Sequence, residues 1–136
     1  MDPLIRERYA RTVLAAAGVV DPALEAAFAA TEREAFLGPP PWMVGTGPDD
    51  FAVTSDPAAL YADVLVALDP AQGINNGQPS LHALALHALA AQPGERVVHV
   101  GAGTGYYSAI LARLVGPGGH VTAIEIDPAL AARAAV

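Results

Sequence analysis

The sequence predicts an α/β fold, with a parallel βαβ unit in its C-terminal part and a helical segment ahead of it. Three observations carry this. Two short β-branched runs, RVVHV at 96–100 and HVTAIEI at 120–126, flank an apolar, helix-like run at 106–115. The first run leads straight into glycines at alternate positions, Gly101, Gly103 and Gly105. The dipeptide Asp-Pro recurs at 2, 21, 56, 69 and 127. An aspartate accepts hydrogen bonds from free N–H groups at a helix start, and proline fits the first helical position. Each Asp-Pro is therefore a candidate helix start.

From the N-terminus, helices are expected at about 3 to 17, ending at Gly18, and at 22 to 35, ending before Gly38. The stretch GPPPWMVGTGPDDF (38 to 51) is expected to lack regular structure, because its prolines remove donors and its glycines loosen the backbone. YADVLVAL (61 to 68), bounded by Asp-Pro pairs, reads as a strand, and AQGINNGQP (71 to 79) as a polar loop. From Pro79, leucines at 81, 84, 86 and 89 cover more than one face, so the helix is expected to be largely buried. Pro93-Gly94 turns the chain into RVVHV, too short and too β-branched for a helix, and thus a buried strand of parallel-sheet type. Helix 106 to 115 stops at GPGG (116 to 119), the strand 120 to 126 follows, and Asp127-Pro128 opens another helix. This order gives adjacent parallel strands joined by a right-handed crossover, the beginning of a Rossmann-like sheet. Residues 1–72 then form an N-terminal helical and loop segment, and 73–136 the start of the ligand-binding domain.

Composition narrows the function classes. Fourteen acidic residues against seven basic ones leave a net charge of −7, without the cationic excess that phosphate neutralisation needs, so nucleic acid is not an expected partner. Apolar stretches such as VLAAAGVV (13 to 20) are far below the roughly 18 residues that span a bilayer, and no membrane association is expected. The charged N-terminus MDPLIRERYAR lacks a signal-peptide apolar region, so a cytoplasmic location is expected. There is no cysteine. His82 and His87 lie five apart, off the spacing that places two ligands on one helix face, so no metal is assigned.

The glycines stand where the first strand ends and the crossover helix begins, the place where an open α/β sheet binds ligands. Glycine permits a tight turn and lets a ligand approach bare peptide N–H groups at the positive end of the helix. Glu125, twenty positions beyond Gly105, can accept from both hydroxyls of a ribose. An adenosine-containing ligand is implied. A dinucleotide fingerprint needs a third small residue where GAGTGY places Tyr106, which argues against NAD and FAD, and no triphosphate-binding G-x-x-x-x-G-K-[ST] is present. The remaining alternative is a turn that serves only strand-to-helix packing. G-x-G-x-G after a strand resembles the first motif of S-adenosylmethionine-dependent methyltransferases of class I, with Gly101, Ala102, Gly103, Thr104, Gly105 and Glu125 as the cofactor-binding set.

Over a longer span, ERVVHVGAGTGYYSAILARLVGPGGHVTAIEIDPALAARA resembles the cofactor half of the protein-L-isoaspartate O-methyltransferases. TEREAFLGP (31 to 39) and GINNGQPSLHALAL (73 to 86) are similar to that family's segments upstream, so the resemblance runs from about residue 4 to the end. It implies a Rossmann-like class I methyltransferase fold, cut off after the second sheet strand, with an N-terminal helical segment. It also implies methyl transfer from S-adenosylmethionine to the isoaspartyl carboxylate of a protein or peptide. Asn76 and Gln78 are the candidate catalytic residues, as amide donors to the acceptor. Two positions depart from the family pattern. The residue before Gln-Pro, commonly a serine or threonine whose hydroxyl lies at the reacting centre, is Gly77. The residue two before the first glycine, usually acidic, is His99, expected as a hydrogen-bonded core residue. A sheet of only two parallel strands would expose an apolar edge, through which the chain could self-associate. The competing reading is a non-catalytic cofactor-binding or interaction module derived from the same family.

Overall fold

In a computed structural model, which describes residues 1–47 and 49–135, five α-helices and six strands are present among the described residues. Pro48, inside the expected irregular stretch, and the terminal Val136 lie outside the described residues.

All five Asp-Pro pairs start helices. Asp2 and Asp21 cap α1 (Pro3–Ala17) and α2 (Pro22–Ala30), each side chain accepting a backbone N–H of the first turn. Asp56 and Asp69 do the same for the 3₁₀ turns Pro57–Leu60 and Pro70–Gln72. Asp127 caps α5 (Pro128–Ala134) through the N–H groups of Ala129 and Leu130. Helix α1 ends at Gly18 with φ 67°, as expected for a left-handed C-terminal glycine.

The second helix is shorter than expected. It stops at Thr31, which adopts an extended conformation, and residues Arg33–Phe36 form a separate 3₁₀ turn. The expected irregular stretch contains β1 (Trp42–Gly45), which pairs antiparallel with β2 (Ala52–Thr54) and β3 (Leu65–Asp69). Pro39, Pro40 and Pro41 lie ahead of the strand, so the β-prone Trp42, Met43 and Val44 keep their donors. The connection to β2 is closed by Asp50, whose carboxylate accepts the N–H groups of Thr46 at 2.9 Å and Gly47 at 2.8 Å. The third strand is shifted toward the C-terminus relative to 61–68, because residues 61–64 form an irregular loop whose carbonyls are held by Arg33. Ile74–Asn75, expected as loop, form β4 against β3, completing the sheet order β2-β1-β3-β4. The N-terminal part is thus helices plus an antiparallel sheet.

Helix α3 (Pro79–Leu89) buries Ala83 and Leu86 but exposes Leu81, Leu84 and Leu89, contrary to the expectation of a largely buried helix. Only one stripe of it meets the protein. The βαβ unit is present: β5 (Arg96–Val100), α4 (Tyr106–Val115) and β6 (His120–Ile124), with β5 and β6 parallel and in register from Arg96↔His120 to Val100↔Ile124. The strands are not buried on both faces as expected. Val97, His99 and Val121 turn inward, whereas Val98 and Val100 are 61% and 74% exposed and Ile124 and Ile126 are exposed beside them. One core runs through both parts: Tyr9 and Val13 of α1, Leu24 and Phe28 of α2, Leu60, Val66 of β3, and Tyr106 and Ile110 of α4 are all buried. Among the described residues, no helix is long and apolar enough to cross a membrane.

Candidate functional site

The 101–105 loop is built by backbone. Gly101 and Ala102 both donate to the Ile124 carbonyl, at 2.8 and 3.0 Å, which ties the end of β5 to the end of β6. Gly101, Gly103 and Gly105 have φ of 74°, 57° and 91°, a region that a side chain rarely adopts, so the alternation is a conformational requirement. A Cβ on Gly105 would also meet Ala134 at 3.5 Å, whereas one on Gly101 would meet nothing within 4 Å. Gly105 serves as N-cap of α4, and no side chain caps that helix. Its positive end is left to whatever lies above it.

Glu125 follows β6 directly. Its Oε2 accepts the Gly103 N–H at 2.7 Å and its Oε1 the Asp127 N–H at 2.9 Å. These two backbone donors hold its carboxyl below the ordinary carboxylate range, so it stays ionised at neutral pH. Each oxygen retains a second lone pair.

Facing this loop is the turn after β4. Leu68, Gln72, Asn76, Gly77, Gly103 and Glu125 lie around one cavity of about 510 Å³, whose wall also includes Ala102, Thr104, Tyr107 and His82. This lies within the range of small-molecule sites. Asn76 is fixed through its oxygen, which accepts from the Val66 N–H at 3.0 Å, while its buried Nδ2 has no partner among the described residues. An amide donor buried without an acceptor costs free energy unless a ligand meets it. Gln78 does not line the cavity. Its amide donates to Asp63 Oδ2 at 3.1 Å on the outside of the loop. The structure thus gathers Asn76, Gly101, Ala102, Gly103, Thr104 and Glu125 around one space, with Gly105 outside its lining as the cap of α4, and leaves Gln78 apart.

Three residues that the sequence reading did not assign to the site shape it. Arg33 is completely buried, and its guanidinium donates to the carbonyls of Leu60, Ala62 and Val64 and, at 3.5 Å, to Asn76 Oδ1. Asp63 accepts from the Ser80 N–H and hydroxyl at 2.8 and 2.7 Å, anchoring the same loop to the start of α3. Tyr107 donates to the Gly77 carbonyl at 3.2 Å. No local pattern marks Arg33 or Asp63, since their partners lie 15 to 43 residues away in the chain. His99 bonds through Nδ1 to Ser108 at 2.8 Å, bracing β5 against α4.

Residues 11–136 match the family model of protein-L-isoaspartate(D-aspartate) O-methyltransferase (PCMT). The chain belongs to this family. It is 40% identical over 131 residues to the protein-L-isoaspartate O-methyltransferase of Methylorubrum populi, covering 96% of this chain and 52% of that protein. Among solved structures, a protein-L-isoaspartate O-methyltransferase superposes with a TM-score of 0.61 at 26% identity, over 96% of this chain and 37% of the other. A Plasmodium falciparum structure titled as such a methyltransferase in complex with S-adenosyl-L-homocysteine gives 0.70 at 18% identity, over 96% and 53%. The last likeness bears on fold alone. The chain spans about half the length of the curated relatives it matches. Its α/β Rossmann-like fragment is therefore the N-terminal part of the isoaspartyl methyltransferase fold.

Proposed function

We propose that the chain carries the cofactor loop and part of the acceptor site of an S-adenosylmethionine-dependent methyltransferase that esterifies the isoaspartyl carboxylate of a protein or peptide. The observation that carries this reading is the convergence of the 101–105 loop, Glu125 and the 74–77 turn on one cavity. In this reading residues 73–136 begin the cofactor-binding domain, residues 1–72 pack behind it, and the protein works in the cytoplasm.

The residues present fit the cofactor. The uncapped start of α4 suits a carboxylate, the positive-φ glycines let a ligand lie on the backbone, and Glu125 keeps lone pairs for ribose hydroxyls. When bound, S-adenosylmethionine supplies a methyl group on a sulfonium sulfur. A carboxylate acceptor is already an anionic nucleophile, so the protein has to align it and exclude water more than remove a proton. Asn76 Nδ2 is the donor that holds the acceptor. Gln78 and Arg33 act behind it as positioning residues: Gln78 holds Asp63, and Arg33 holds the 60–64 carbonyls and the Asn76 oxygen.

The direct test offers labelled S-adenosylmethionine with an isoaspartyl peptide and, separately, its aspartyl isomer. Base-labile label on the isoaspartyl peptide alone supports the reading. Label on neither peptide, from a chain that binds S-adenosylhomocysteine, favours the non-catalytic binding module, the reading to which the missing side chain at Gly77 also points.

A further inference from the structure

Gly77, in the cavity wall just before Gln78-Pro79, has no side chain and a φ of 76°. The space its side chain would take is filled. A Cβ built on Gly77 would lie 2.3 Å from Nε2 of His82 and 2.9 Å from its Cδ2, so the ring could not stay where it is beside a side chain at 77. His82 stands on the first turns of α3, on the cavity wall. Its ring is stacked on Tyr107, with centroids 3.7 Å apart and planes within 9°, and the Tyr107 hydroxyl donates to the Gly77 carbonyl. One tyrosine therefore fixes both the ring and the peptide that the ring covers. The stack leaves the imidazole rigid, and rigid polar groups bind at lower entropic cost than free ones.

We infer that His82 Nε2 contacts the methyl acceptor in place of the side chain that residue 77 lacks, so that Gly77, His82 and Tyr107 form one acceptor-binding unit. The glycine is then a matched partner of the histidine rather than a loss of function. The ring of His82 occupies this spot, and the φ of 76° at residue 77 favours the glycine that leaves it free. The inference rests on the methyltransferase reading and names the residue through which that site meets the isoaspartyl carboxylate.

The test uses the 136-residue chain loaded with S-adenosylhomocysteine and measures the affinity of an isoaspartyl peptide, alongside the affinity for S-adenosylhomocysteine itself. His82→Phe keeps the stack on Tyr107 and removes both ring nitrogens. It is expected to weaken peptide binding about tenfold, the worth of a hydrogen bond to a charged group, with the S-adenosylhomocysteine affinity within about twofold of wild type. His82→Gln, which keeps a polar group at this place without straining residue 77, is expected to bind peptide more tightly than His82→Ala. Thermal melting of each variant identifies any that has lost its fold. Unchanged peptide affinity in folded His82→Phe, or a loaded wild type that takes up no peptide, overturns the inference alone. A folded wild type that takes up no S-adenosylhomocysteine overturns the methyltransferase reading, and this inference with it.

Discussion

The Glu125 carboxylate accepts the peptide N–H of Gly103 at 2.7 Å, joining the end of β6 to the middle glycine of the loop after β5. The same carboxylate accepts from Asp127, the cap of α5, so one side chain sets the positions of the glycine turn and the following helix together. The charge that would meet a ribose is also the charge that shapes the loop.

This bond has a pH signature. The folded carboxyl is held below its ordinary value of 4.5, so the unfolded chain binds its proton at higher pH than the folded one. Its stabilisation is complete above the ordinary value and is lost as pH falls through the folded one. Urea unfolding of wild type and Glu125→Gln should differ at pH 7, and the difference should shrink below about pH 4.5. A difference that is constant across this window would show that the charge is not what holds the loop.

His82 titrates in a separate window. Burial, and then the neighbouring His99, push it from 6.5 down to about 4, so the ring is neutral at physiological pH. The unfolded chain takes up the proton first, so stability must fall as pH drops from 6.5 toward 4. His99, itself shifted down by burial and partly restored by Glu125, adds a smaller loss in the same direction. Melting temperatures followed over this range should decline less steeply in His82→Phe than in wild type.

Arg33 is a structural cation without a carboxylate partner among the described residues; its two terminal nitrogens donate to three carbonyls of the 60–64 loop and to Asn76, while its Nε is buried without a partner. It also lies within 5.7 and 5.9 Å of the Tyr9 and Tyr106 ring centroids. Arg33→Met leaves the carbonyls unpaired in the interior and should cost about 3 kcal/mol in urea unfolding. It should also weaken acceptor binding, because the Asn76 oxygen loses a donor. A loss confined to the surface-substitution range, below about 0.5 kcal/mol, would contradict this account.

Much of this was legible locally. Asp-Pro marks a cap within three residues, and all five mark one here, because the acceptor and the donors it serves are chain neighbours. The glycine alternation encoded three positive-φ positions for the same reason. What escaped was set by distant partners. TEREAF falls at the end of the helix expected over 22 to 35, where nothing marks Arg33, yet Arg33 is the most deeply buried polar group of the site because the 60–64 loop wraps it. WMVG was too short, between prolines and glycines, to announce a strand that exists by pairing with β2 and β3. In the sequence His82 stands out only by its spacing from His87. Its place over Gly77 depends on the angle at which α3 meets the preceding turn, which no periodicity encodes.

The central claim is that the 101–105 loop and Glu125 form a cofactor site. Calorimetric titration of the chain with S-adenosylhomocysteine, beside Glu125→Ala, tests it most directly. The account predicts saturable one-to-one binding, weakened about tenfold or more in the variant, as expected when a charged hydrogen-bond partner is removed. A folded chain that gives no binding heat, or a variant that binds as well as wild type, would contradict it.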